Sequence, residues 1–214
     1  MMKNKIFISL ALFSGLSFFY AQNTLTFKDK NFEKALLENF DTDRSGTINQ
    51  LEADRITNLF LVNKGITSTD DLSFFPNATM IVLDDNMIPN ASVKNLANLQ
   101  LFSCTGCKIS TFSAENLKSL ASLYLDNNLI ENISFKGLTR LDQLTISLNK
   151  LKTIDTSSLK NLKKLNVEHN QITKLDISKN LNLQTLNIGG TKMKESDIKK
   201  GAKTDFTLFG AEPE

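Results

Sequence analysis

Apolar residues recur in this chain at a long, fixed interval. The stretch LASLYLDNNLI, from Leu120 to Ile130, is apolar at its first, fourth, sixth and eleventh positions, and the same spacing restarts at Leu141, Leu162 and Leu183, 21 residues apart. Upstream it starts at Leu99, Ala78 and Ile56, with one 22-residue step between the last two. Those four positions are apolar in all seven turns. Alternation at positions 4 and 6 predicts a short strand with these side chains pointing inward. Positions 14, 16 and 19 are mostly apolar (Ile133, Phe135 and Leu138; Ile154 and Leu159; Leu175 and Ile177), which predicts an opposite wall of extended or tightly turned chain rather than long helix. Self-similarity at this period means a solenoid, in which each turn buries its apolar side against its neighbours.

The flanks follow other patterns. Phe32, Leu36 and Phe40 fall at helical spacing just before DTDRSGTINQLE, from Asp41 to Glu52. This matches the EF-hand loop: Asp41, Asp43 and Ser45 offer oxygens at loop positions 1, 3 and 5, Gly46 permits the sharp turn, Thr47 offers its carbonyl, Asn49 stands at position 9 and Glu52 at position 12. Calcium is the expected ion. After Met193 the chain turns polar, and DFTLF, Asp205 to Phe209, predicts a last strand covering the C-terminal end. At the other end a basic start (Met1 to Lys5) and an apolar run (Ile6 to Tyr20) have the anatomy of a leader cut after Ala21, which places the chain in a secreted or periplasmic compartment.

The 21-residue pattern resembles the leucine-rich repeat family over about residues 56 to 193. The resemblance implies an α/β-horseshoe-type solenoid with parallel strands on a concave face. It also implies an inward Asn at position 9, bonding backbone left unpaired where the chain turns. That position reads Lys64, Asn86, Cys107, Asn128, Asn149, Asn170 and Thr191, so the departures include both end turns. A helix and an EF-hand-like loop ahead of such repeats is similar to secreted leucine-rich repeat proteins of the Bacteroidetes, which are loosely internalin-like. The expected organisation is a leader (1–21), an N-terminal cap (22–55, loop 41–52), seven repeats (56–193) and a C-terminal cap and tail (194–214).

Composition excludes several alternatives. With 41% hydrophobic and 22% charged residues the chain can bury a core, and removing Lys3 and Lys5 with the leader balances basic against acidic residues. A neutral chain has no global attraction to nucleic acid or anionic lipid, and no other apolar run is long enough to span a membrane. Binding chemistry is expected on the concave face. Phe60, Val62, Met80, Val82, Leu101 and Tyr124 make an apolar N-terminal half, with Asp84 and Asp126 in an acidic stripe that continues to Glu168. Cys104 and Cys107 sit at inward positions 6 and 9, which favours two buried, inert thiols, with a local disulfide as the next reading. His169 on the rim has no second His or nucleophile around it in the repeat, and is expected to be solvated. The chain is therefore expected to be a non-enzymatic, monomeric module that binds a protein or glycan on its concave face. The alternative is a structural envelope or matrix protein that assembles through solenoid contacts without a specific ligand.

Overall fold

The computed structural model of the protein describes residues 24–202 and 205–213, and the expected leader lies outside them. Helix α1 (Lys30–Phe40) and the short α2 (Gln50–Arg55) precede β1 (Asn58–Phe60), β2 (Met80–Val82), β3 (Asn90–Lys94), β4 (Leu101–Ser103), β5 (Thr111–Glu115) and β6 (Ser122–Tyr124). Then follow β7 (Gln143–Thr145), β8 (Lys164–Asn166), β9 (Leu175–Asp176), β10 (Thr185–Asn187), β11 (Ile198–Lys199) and β12 (Thr207–Phe209). Eight of these form one parallel sheet in the order β1-β2-β4-β6-β7-β8-β10-β12. The pairing is in register throughout: Leu59, Ile81, Phe102, Leu123, Leu144, Leu165, Leu186 and Leu208 lie side by side. This is the leucine-rich repeat solenoid.

The four apolar positions of every repeat are buried, from Ile56 in the first to Met193 in the last. The opposite wall is extended or turned, as its pattern predicts: β3 pairs with β5, β9 with β11, and tight turns such as Leu138 N–H to Phe135 O (3.1 Å) serve elsewhere. A 3₁₀ turn (Asp70–Phe74) replaces them in the first repeat.

Position 9 works as an Asn ladder. The Asn128 amide donates to Cys104 O in the preceding turn (2.8 Å) and Leu125 O in its own (3.0 Å), while its Oδ1 accepts from Ile109 N–H (2.9 Å). Asn86, Asn149 and Asn170 repeat the arrangement. One side chain thus satisfies backbone groups of two turns that would otherwise be buried without partners. The departures at the ends are repaired locally. Thr191 donates to Ile188 O (2.6 Å), and Lys64 turns outward to Glu38 of α1 (2.7 Å), which holds the Glu38 carboxyl below its usual range.

The cysteines correct the sequence reading. Both are fully buried, but they form a disulfide instead of two free thiols. Two inward positions of one turn bring their Cα atoms to 5.5 Å, within bridging range. Because Cys107 offers no amide, Ile88 N–H donates to the Cys107 carbonyl (2.8 Å), replacing the side-chain acceptor its counterparts use.

An aromatic cluster joins the cap to the first repeat. The Phe27 ring lies 6.1 Å from Phe32, 5.3 Å from Phe74 and 6.4 Å from Phe75, centroid to centroid. Asp29 caps α1 through Asn31 N–H (2.9 Å) and Phe32 N–H (3.0 Å), and also accepts from Thr67 N–H (2.6 Å) and Oγ1 (2.8 Å). Its own N–H donates to Asp71 (2.9 Å). Burial disfavours its ionised form, yet the Thr67, Phe32 and Asn31 hydrogen bonds outweigh that and hold the Asp29 carboxyl below its usual value.

Candidate functional site: the concave face and the cap loop

Side chains alternate along each three-residue strand, so the residues flanking the buried central one face the concave side. Phe60 and Val62 are 58% and 43% exposed, which shows that the cap does not cover them. Cross-strand register sets Phe60 beside Val82, and Met80 between Asn58 and Leu101. Met80, Val82 and Leu101 are half-buried. Together they form a continuous apolar surface over β1, β2 and β4. Tyr124, also half-buried, is set apart from Val82 by Ser103, the intervening register partner.

The acidic stripe is built differently from a binding feature. Asp84 accepts from Ser103 Oγ (2.6 Å) and Thr105 N–H (2.9 Å) of the next turn. Asp126 accepts from Thr145 Oγ1 (2.5 Å), Ser147 N–H (2.7 Å) and Ser147 Oγ (2.6 Å). These position-7 carboxylates clamp one turn to the next. Glu168 differs, accepting from Asn166 in its own turn (3.0 Å).

The rim shows a regularity that the apolar pattern hides. Position 8 has positive φ in all seven repeats: Asn63 (52°), Asp85 (58°), Gly106 (69°), Asn127 (54°), Leu148 (53°), His169 (51°) and Gly190 (69°). His169 is exposed, as expected, and its ring lies over Gly190, where an added Cβ would come within 2.3 Å of Nδ1.

The cap loop has the backbone of an EF-hand. Helix α1 ends at Phe40, Gly46 takes φ +77° at loop position 6, and α2 starts at position 10. Asp41 Oδ1 and Oδ2 accept from Ser45 N–H (3.0 Å) and Gly46 N–H (2.9 Å), and Asp43 Oδ1 accepts from Ser45 N–H (3.0 Å). The two Ser45 contacts, from hydroxyl and backbone, hold the Asp43 carboxyl below its usual value. Carboxylate oxygens of Asp41, Asp43 and Glu52 lie within 4.8 Å of one another, close enough to share one hard cation. Glu52 is buried and already engaged: Oε1 accepts from Thr42 N–H (2.7 Å) and Oγ1 (2.9 Å), Oε2 from Asn49 N–H (3.1 Å) and Nδ2 (3.0 Å). Asn49 also N-caps α2 in a capping box with Glu52. Thr47 O accepts from Ser45 Oγ (3.1 Å). The oxygen donors are of the type that calcium takes, and the protein's own hydrogen bonds close the loop. Leu25 N–H donates to Ile48 O at loop position 8 (2.8 Å), so an N-terminal segment takes the place a second loop would occupy.

A profile of the family described as leucine rich repeat matches residues 118–172. No curated protein matches the chain. Among solved structures it is similar to internalin C2 from Listeria monocytogenes, with 22% identity over 85% of this chain and 94% of that one and a TM-score of 0.55. Two other Listeria monocytogenes structures align at 18% identity. They are the internalin InlF (86% of this chain, 76% of that one, TM-score 0.39) and the functional domain of InlJ, which includes a cysteine ladder (87% and 60%, TM-score 0.41). The fold shared with internalin C2 is a leucine-rich repeat solenoid.

Proposed function

We propose that this leucine-rich repeat solenoid is an exported binding module, secreted or periplasmic, that recognises a protein through the N-terminal half of its concave face. The observation that carries this reading is the exposure of Phe60 and Val62 beside Val82, Met80 and Leu101. A contiguous apolar surface in water is unfavourable unless a partner covers it. Asp84 and Asp126 act as fixed clamps beneath that contact, and Tyr124 forms its far edge. Calcium held by Asp41, Asp43, Ser45, Thr47 and Glu52 stiffens the cap, with Asn49 fixing the start of α2. The ion supplies charge neutralisation among the carboxylates; the hydrogen bonds of Glu52 and Asn49 keep the loop in shape. The module is non-catalytic.

The test compares native chain, Phe60→Ser and Val82→Ser as bait for extracellular proteins of the source cell. Capture by the native chain and loss by both variants at unchanged melting temperature is expected. Equal capture by all three overturns the concave-face reading. Concentration-dependent assembly of the ligand-free chain in sedimentation would favour a structural envelope or matrix role instead.

A further inference from the structure

The C-terminal half of the same concave face is chemically distinct. Between β7, β8, β10 and β12 lies a cavity of about 320 Å³, lined by Gln143, Lys164, Asn166, Thr185, Asn187 and Phe209 among others. That volume is at the small end of ligand cavities, which start at about 300 Å³.

Its polar groups divide into two kinds. Asn166 is engaged by Glu168 on both sides of its amide. In contrast, the Gln143 amide, the Lys164 ammonium, the Thr185 hydroxyl and Asn187 Nδ2 make no hydrogen bond among the described residues. Four unengaged groups therefore line the cavity across β7, β8 and β10, with Phe209, a half-exposed ring on β12 and the register neighbour of Asn187, at its far end. No carboxylate lines the cavity and only one cation does.

We propose that this cavity is a subsite for a neutral saccharide, resting on the reading that the concave face is the recognition surface. Side-chain amides both donate and accept, a hydroxyl does either, and an ammonium donates, which suits a ligand dense in hydroxyls. The face of an aromatic ring carries partial negative charge and attracts the polarised C–H face of a pyranose. A phosphate or sulfate ligand would need more than one cation. An apolar peptide side chain would be better matched by the apolar surface at the other end of the face. The two halves thus recognise different chemistry: an apolar protein surface over β1, β2 and β4, a sugar over β7, β8, β10 and β12.

A printed array of neutral, uronic-acid-bearing and phosphorylated oligosaccharides, followed by calorimetry with the retained glycan, tests this. Neutral glycans should be retained, and Gln143→Ala and Phe209→Ala should each weaken binding tenfold or more. Gln143 has no structural bond to lose, so it keeps the test valid if Phe209→Ala loosens the edge strand. Phe60→Ser should leave glycan binding unchanged while it abolishes protein capture, so failure of one half is read separately from failure of the other. Retention of no neutral glycan, retention of acidic glycans alone with loss in Lys164→Gln, or retention indifferent to Gln143→Ala would each overturn the proposal.

Discussion

Leu148 occupies a backbone conformation that an L side chain with a Cβ ordinarily avoids. Left-handed φ costs roughly 1–2 kcal/mol for such residues, less for Asn and Asp, and little for Gly. At the same rim position the other repeats use Asn, Asp, Gly or His, and Leu148 is the apolar exception, half exposed at 51%. Leu148→Gly is therefore expected to raise stability by about 1 kcal/mol, visible as a higher melting temperature. The opposite change, Gly190→Ala, should lower it, because the strained φ is joined by collision with the His169 ring. At position 7, Asp126→Ala removes an acceptor serving three donors of the next turn and should cost about 1–3 kcal/mol. Chemical denaturation of the three variants checks all of this. No change in Asp126→Ala would show that water replaces the clamp without loss.

At the scale of an element, the N-terminal cap combines two ionic devices. In the loop, Asp41, Asp43 and Glu52 crowd together, and a bound cation would relieve their mutual repulsion. Calcium at a hundredfold above its dissociation constant, bound only by the folded chain, would add about 2.7 kcal/mol. Since Glu52 is held by four protein hydrogen bonds, chelation should lower the melting temperature and leave the loop folded. Equal melting in calcium and in chelator, with no binding heat, would mark a metal-free turn. The second device is Asp29, whose carboxyl titrates below the value of about 3.9 it has in an unfolded chain. Its contribution is therefore present above that pH and lost as pH falls through the lower, folded value. Hydrogen-exchange protection in α1, taken relative to the intrinsic rate at each pH, should fall in acid, and Asp29→Asn should flatten that dependence. The disulfide is another element-scale expectation: the denatured, unreduced chain should resist alkylation at Cys104 and Cys107, with an intact mass two hydrogens below the dithiol.

For the whole molecule, the solenoid and its inward register were legible because burial enforces them: Leu125 and Leu144 are fully buried where the period puts them. Truncating either to Ala should cost about 2–5 kcal/mol, whereas Val82→Ser should cost little. What the sequence hid was what several small or polar groups do. Asp84 and Asp126 read as a surface stripe, yet their oxygens are directed at the next turn. The buried Thr156–Asn180 pair on the opposite wall, bonded at 2.8 Å, carries no apolar signal. The Asn, Asp and Gly bias at position 8 was in plain view, but it records backbone conformation, which hydropathy does not measure. Cys104 and Cys107 were correctly placed inward, while their bond depended on a distance that spacing alone leaves open.

The clamps have a consequence for how such a molecule can change length. Position 7 alternates from Asp84 through Thr105, Asp126 and Ser147 to Glu168, so Asp84 and Asp126 are each followed by a hydroxyl-bearing turn. Excising the single turn 141–161 would keep every strand in register and keep the apolar interior continuous. It would also bring Glu168 into the place of Ser147, setting two carboxylates about 4.8 Å apart where a donor had been. Excising turns 120–161 together would instead leave Glu168 after Thr105 and keep the alternation. Along this stretch, losing a hydroxyl-bearing turn alone should therefore lower the melting temperature more than losing it together with a neighbouring carboxylate-bearing turn.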